Sequence, residues 1–128
     1  MGEDICVYLT SLGYTDINLN TVPVDKTSCI CVYDTGGYEA IRYYGSCPPD
    51  DQPTVQIRVR DPSPSAARSR VYAIYAACDG LANTTINGAR YLKINCTGPP
   101  SYIGLDQVST AGQAHEWTLN LYSQKRRT

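Results

Sequence analysis

The chain has 128 residues, 42% of them hydrophobic and 18% charged, with a formal charge of −1 at pH 7. That length fits one domain over 1–128 with an ordinary apolar core. The near-neutral balance argues against a dedicated nucleic-acid binder, because phosphate recognition needs a surplus of Lys and Arg, and no run of about 18 apolar residues exists to cross a membrane.

Residues 3–12 read as a short helix with Ile5, Tyr8, Leu9 and Leu12 on one side and Gly13 as its stop. The opening residues lack the basic-then-apolar pattern of a leader, so the expectation is folding in a cytosol and no membrane partner. Asn18, Asn20, Pro23 and Asp25 mark a connection in which Ile17 and Leu19 form a brief strand. Residues 28–33 alternate as a strand that is expected to end in a turn at Asp34-Thr35-Gly36-Gly37. From Tyr38 to Gln52, with Tyr43-Tyr44-Gly45 and Cys47-Pro48-Pro49-Asp50-Asp51, the chain reads as an exposed loop.

The strongest pattern covers 54–82. Val55, Ile57 and Val59 face one way and Gln56, Arg58 and Arg60 the other, the period of a half-buried strand. Pro62 and Pro64 end it, since neither can donate to a ladder. Ser63 is a helix cap, Pro64 suits the first helical position, and Ala67, Val71, Ile74, Tyr75, Cys78 and Leu81 make one apolar stripe. Residues 83–88 read as a turn around Asn87-Gly88, and 91–96 as a strand with Leu92 and Ile94 inward. Residues 98–114 read as a long loop, 115–122 as a strand with Trp117, Leu119 and Leu121 on one face, and 124–128 as a basic tail. The fold class is therefore α+β: a mixed, mainly antiparallel sheet with an N-terminal helix and one longer helix packed on one face.

Residues that could carry chemistry are few. The single histidine, His115, precedes Glu116, and strand neighbours point to opposite faces, so they do not form a base and its orienting carboxylate. Asp50 and Asp51 read as solvated loop charges, too few to hold a metal. No Gly-rich phosphate cradle, G-x-S-x-G or H-E-x-x-H is present. The expectation is a protein that is not an enzyme and has no catalytic residue, metal or cofactor. The six cysteines are scattered without a C-x-x-C pair and read as free, buried apolar residues, with a disulfide or a metal as the alternatives. Eleven tyrosines and no phenylalanine either fill the core or supply contact area at interfaces. Arg58, Arg60, Arg68 and Arg70 suit structural or intersubunit pairing better than nucleic acid.

The order of these pieces resembles the small tail-terminator proteins of long-tailed bacteriophages, often labelled minor capsid or head–tail joining proteins. The matching segments are Asp34-Thr35-Gly36-Gly37, then Val55 to Arg60 leading into a helix, then Asn87 to Tyr91. Pro99-Pro100, Ile103 to Asp106 and the closing Asn120-Leu121-Tyr122 before basic residues complete the match. Where the family usually continues with a Gly-Arg segment, this chain has Gln107 to Gly112. The resemblance implies a virion protein of the tail and neck, made in the host cytoplasm. It implies a homo-oligomeric ring, typically a hexamer, at the head-proximal end of the tail tube, partnering the major tail tube protein and the head connector or stopper. Packaged DNA then lies near the channel. Tyr43, Tyr44, Arg58, Arg60, Tyr102, Asp106 and Gln107 are the candidate intersubunit or tube contacts. A head-completion protein on the connector side is the alternative, and a small nucleic-acid- or metal-binding module the remote one.

Overall fold

A computed structural model describes residues 1–108 and 112–127, the side chains of 106–108 excepted. The elements are α1 (Gly2–Ser11), β1 (Ile17–Leu19), β2 (Cys29–Ile41), β3 (Asp50–Asp61), α2 (Pro64–Cys78), β4 (Leu81–Ile86), β5 (Ala89–Cys96), β6 (Ser101–Val108) and β7 (Gly112–Arg126). The described strands form one sheet in the order β1-β2-β3-β7-β5-β4, and β6 also lies on β7. Only the β1–β2 pair is parallel. The architecture is α+β and dominated by its sheet.

The 54–60 alternation sets the core. Val55, Ile57 and Val59 pair in register with Leu121, Leu119 and Trp117 of β7, while Val59 and Ile57 meet Ile30 and Val32 of β2. All three β3 side chains are buried. Ile5 and Leu9 of α1 and Val71, Ile74 and Cys78 of α2 join them in one apolar cluster. Each such burial contributes roughly 1.5–3 kcal/mol before the entropy of ordering is counted. The start of α2 follows its residues: Ser63 Oγ accepts from the Ala66 N–H at 3.4 Å, and the Ser63 N–H donates to Asp61 Oδ1 at 2.9 Å.

Several local expectations are overturned. Asp34-Thr35-Gly36-Gly37 does not end β2. The register slips there as a bulge, Thr35 and Thr54 hydroxyls lie 2.7 Å apart across it, and the strand runs on to Ile41. The segment 38–52 is thus largely hairpin, with loop only at 42–49. Leu81 and residues 83–86 belong to β4, because α2 ends at Cys78 and Gly80 turns the chain with φ +78°. The reversal at Asn87-Gly88 stands, with φ of 50° and 80°. A bulge between Tyr91 and Lys93 shifts the inward set of β5, so Tyr91 and Ile94 are fully buried while Leu92 is only half-buried. Residues 98–114 are not one long loop: β6 and the start of β7 pair as a hairpin, whose tip at 109–111 lies outside the described residues. The basic residues after Tyr122 extend β7 to Arg126.

Candidate functional site

The structure places the candidate residues in three regions. The first is the arm formed by β2 and β3. Tyr44, at its tip, is fully exposed, and Tyr43 is half-exposed with its hydroxyl donating to Asp50 Oδ2 at 2.6 Å. Asp50 is 0% exposed, so its reading as a solvated loop charge is wrong. Gln124 Nε2 donates to the same oxygen at 2.8 Å, and Arg126 Nε stands 3.3 Å from Oδ1. Burial alone would raise this carboxyl's pKa; the hydrogen bonds from Tyr43 and Gln124 and the Arg126 charge outweigh it and hold it below the usual range. Asp51 is likewise no free charge: Arg127 Nε lies 3.2 and 3.3 Å from its two oxygens, a hydrogen-bonded pairing that also lowers its pKa. Asp4 completes the tie. It accepts from Tyr91 Oη and, at 3.2 Å, from Asn87 Nδ2, with Lys125 Nζ at 3.7 Å. The supposed basic tail is therefore clamped residue by residue.

The second region is the polar face of β3 and β7. Arg58 and Arg60 approach Glu116 Oε1 at 3.7 and 4.0 Å. Arg60 and Glu116 are buried, 8% and 6% exposed, and Arg58 is the more open of the two arginines. Arg58 also donates to Gln56 at 3.0 Å and stacks over Tyr33, 5.4 Å from the ring centre. Beside them on β2, as their register partners, lie Cys31 and Cys29, buried, with Sγ atoms 3.9 Å apart. Either thiol can donate to the other, and this contact with Cys29, aided by the nearby Tyr33 and Arg60, lowers Cys31 against the effect of burial. All six cysteines are free thiols; Cys29, Cys31 and Cys78 are buried as expected, Cys6 and Cys96 are partly covered, and Cys47 is exposed.

The third region is an aromatic groove where α2 begins. Tyr102 of β6 lies 5.4 Å from Trp117 between ring centres, and its hydroxyl is 2.9 Å from His115 Nδ1. Tyr72 meets Trp117 edge-on at 6.1 Å, and Arg68 lies over Tyr72 at 4.9 Å. Pro64 and Ser65 close the groove's helical side. Tyr102, Ile103 and Leu105 are each about half-exposed on β6, and no described strand pairs with its outer edge. Asp106 and Gln107 hold register positions opposite Ala114 and Gln113.

The sequence reading thus names residues from separate regions rather than one site. It misses Asp50 as the keystone of the arm, and it misses the groove formed by Trp117 and His115. The one signal in the sequence is weak: a run of bases, Lys125-Arg126-Arg127, and a pair of acids, Asp50-Asp51, in segments far apart along the chain.

Residues 8–125 match the family described as bacteriophage tail terminator protein. The chain belongs to that family and is a structural protein of the phage tail, found in the virion, with no enzymatic family indicated. A comparison with curated proteins finds no match. A chain in the solved virion of a native gene transfer agent particle has a similar fold, with a TM-score of 0.57 at 14% identity, covering 93% of this chain and 84% of its own. A second solved structure, also 14% identical, aligns over 99% of this chain and 92% of its own at a TM-score of 0.55.

Proposed function

We propose that this chain closes into a ring, typically of six copies, on the head-proximal end of the tail tube, where it stops tube growth and offers the surface on which the head connector docks. Membership of the tail terminator family over residues 8–125 carries this reading. The subunit's form supports it. A closed ring needs two different faces on each copy that fit one another by rotation. The two hairpins offer different faces: the 42–49 loop leaves the sheet beyond the Asp50–Arg126 pair, and the last described pair of β6 and β7, Val108 with Gly112, lies beyond Asp61–His115 at the other end. The proposed partners are other copies of the chain, the tail tube protein and the connector, with packaged DNA near the channel. Asp106 and Gln107 remain candidate contacts by their position near the second tip, as do Tyr43 and Tyr44 at the first.

The test is removal of the gene from the phage. Tails of uncontrolled length that fail to join heads are expected, and restoring the chain in trans should return normal particles. Tails of normal length joined to heads without it would overturn the proposal.

A further inference from the structure

Two surfaces are open among the described residues, and their chemistry matches. The first is the 42–49 tip, where Tyr44 is fully exposed, Tyr43 is half-exposed, and Cys47 and Pro48 face outward. The second is the open groove of Trp117, Tyr102, His115 and Pro64, whose exposed lining is almost wholly apolar. Stacked aromatic walls of this kind accept tyrosine rings and proline rings, which bring rigid, amphipathic area at small entropic cost. The tip is also held ready. The Asp50 cluster fixes its base through Tyr43, Gln124 and Arg126, which reduces the ordering that docking requires.

A chain cannot fill its own groove. The tip leaves β3 at Asp50, whereas the groove sits beside Asp61, where His115 pairs and α2 begins. Eleven strand steps separate these ends by roughly 35 Å. A tip that enters the groove of one neighbour while its own groove takes the tip of another makes a heterologous contact, the kind that closes a ring when the rotation between copies returns to the start; a reciprocal exchange would stop at a dimer.

We infer that the Tyr43–Tyr44–Pro48 tip of one copy seats in the Tyr102–His115–Trp117 groove of the next. This rests on the self-association proposed above and names the surfaces that carry it. Cys47 sits on the tip, and Ser65 lies on the groove wall. A Ser65→Cys variant treated with a short thiol-specific bifunctional crosslinker should give a ladder of covalent oligomers on denaturing gels. Adding Cys47→Ser should abolish the ladder, and the unaltered chain should give dimers at most. Tyr44→Ser, at a fully exposed position, should leave melting unchanged and weaken self-association about tenfold or more. Closed rings that yield no ladder and tolerate Tyr44→Ser would overturn this contact while leaving the ring intact. A chain that stays monomeric at every concentration, alone and with tubes, would overturn the ring and the contact together.

Discussion

Arg126 Nε lies 3.3 Å from Oδ1 of Asp50, and the two residues are direct partners across the β3–β7 ladder. The pair joins the root of the arm to the end of the strand that runs through the centre of the sheet. Asp50 is fully buried, so its charge depends on Arg126, Tyr43 and Gln124 for the stabilisation that water would otherwise supply. The sequence hides this relationship because the partners are far apart along the chain and each sits among other charges.

Asp50→Ala should therefore cost about 2 kcal/mol, the usual loss when hydrogen bonds to a charged group are removed and their donors left unpaired. The effect on pH dependence follows from direction. The Asp50, Asp51 and Asp34 carboxyls are all held below their ordinary range, so each contributes stability that is complete above that range and lost as pH falls through the folded value. Thermal melting of the parent should be level from neutral pH down to about 5 and drop steeply below about 4; Asp50→Asn should melt lower and decline less.

Gly37 and Gly36 are adjacent but should respond differently to substitution. Gly37 has φ +145°, and a Cβ there would stand 2.3 Å from the Gln52 carbonyl oxygen, whereas at Gly36, with φ +91°, nothing lies within 4 Å. Gly36→Ala should cost about 1 kcal/mol for its backbone conformation alone. Gly37→Ala must also push the arm strands apart, and denaturant titration should show the larger loss.

Val59→Asp places an unpaired charge among Ile30, Trp117 and the apolar face of α2. Val59 is 0% exposed, and burying such a charge exceeds the few kcal/mol by which a domain of this size is stable. The variant should lack a cooperative melt. A cooperative transition at the parent's temperature would mean that β3 faces the other way.

The thiols provide a check on packing. Cys47 should react within the dead time of a colorimetric thiol reagent, Cys6 and Cys96 slowly, and Cys29, Cys31 and Cys78 only on unfolding. Burial pushes Cys78 and Cys96 up to about 12, which suppresses their thiolates further. Cys31 is lowered by its contact with Cys29 but stays shielded at 2% exposure, so its reaction should follow unfolding rather than pH.

Exchange of residues 107–112 for Asn-Gly shortens the β6–β7 hairpin. The variant should melt like the parent yet fail to cap tubes in a length assay. Normal capping would remove this hairpin from the list of contacts.

The β3–α2 unit was legible because its signals agree: alternation through Val55, Ile57 and Val59, a Ser63 cap, and Pro64 at the first helical position. Elsewhere local signals conflict with tertiary pairing. Gly36-Gly37 reads as a turn, but the ladder between β2 and β3 absorbs the extra residue as a bulge. Ser101 to Val108 carries a glycine and follows two prolines, so only its pairing with β7 makes it a strand. The bulge after Tyr91 exchanges the inward residues of β5, which no alternation count reveals. The candidate contacts at Tyr43, Tyr44 and Tyr102 were visible as tyrosines in segments that read as loops. The groove was not, because Trp117 and His115 come from a strand whose partner, β6, was itself unread.

A cryo-electron microscopy map of the neck of intact particles should show a single closed annulus of this chain on the head-proximal end of the tube, each 42–49 tip resting on its neighbour beside Trp117. A neck in which no such annulus exists, or in which copies of the chain stand apart from one another, would contradict the proposed ring.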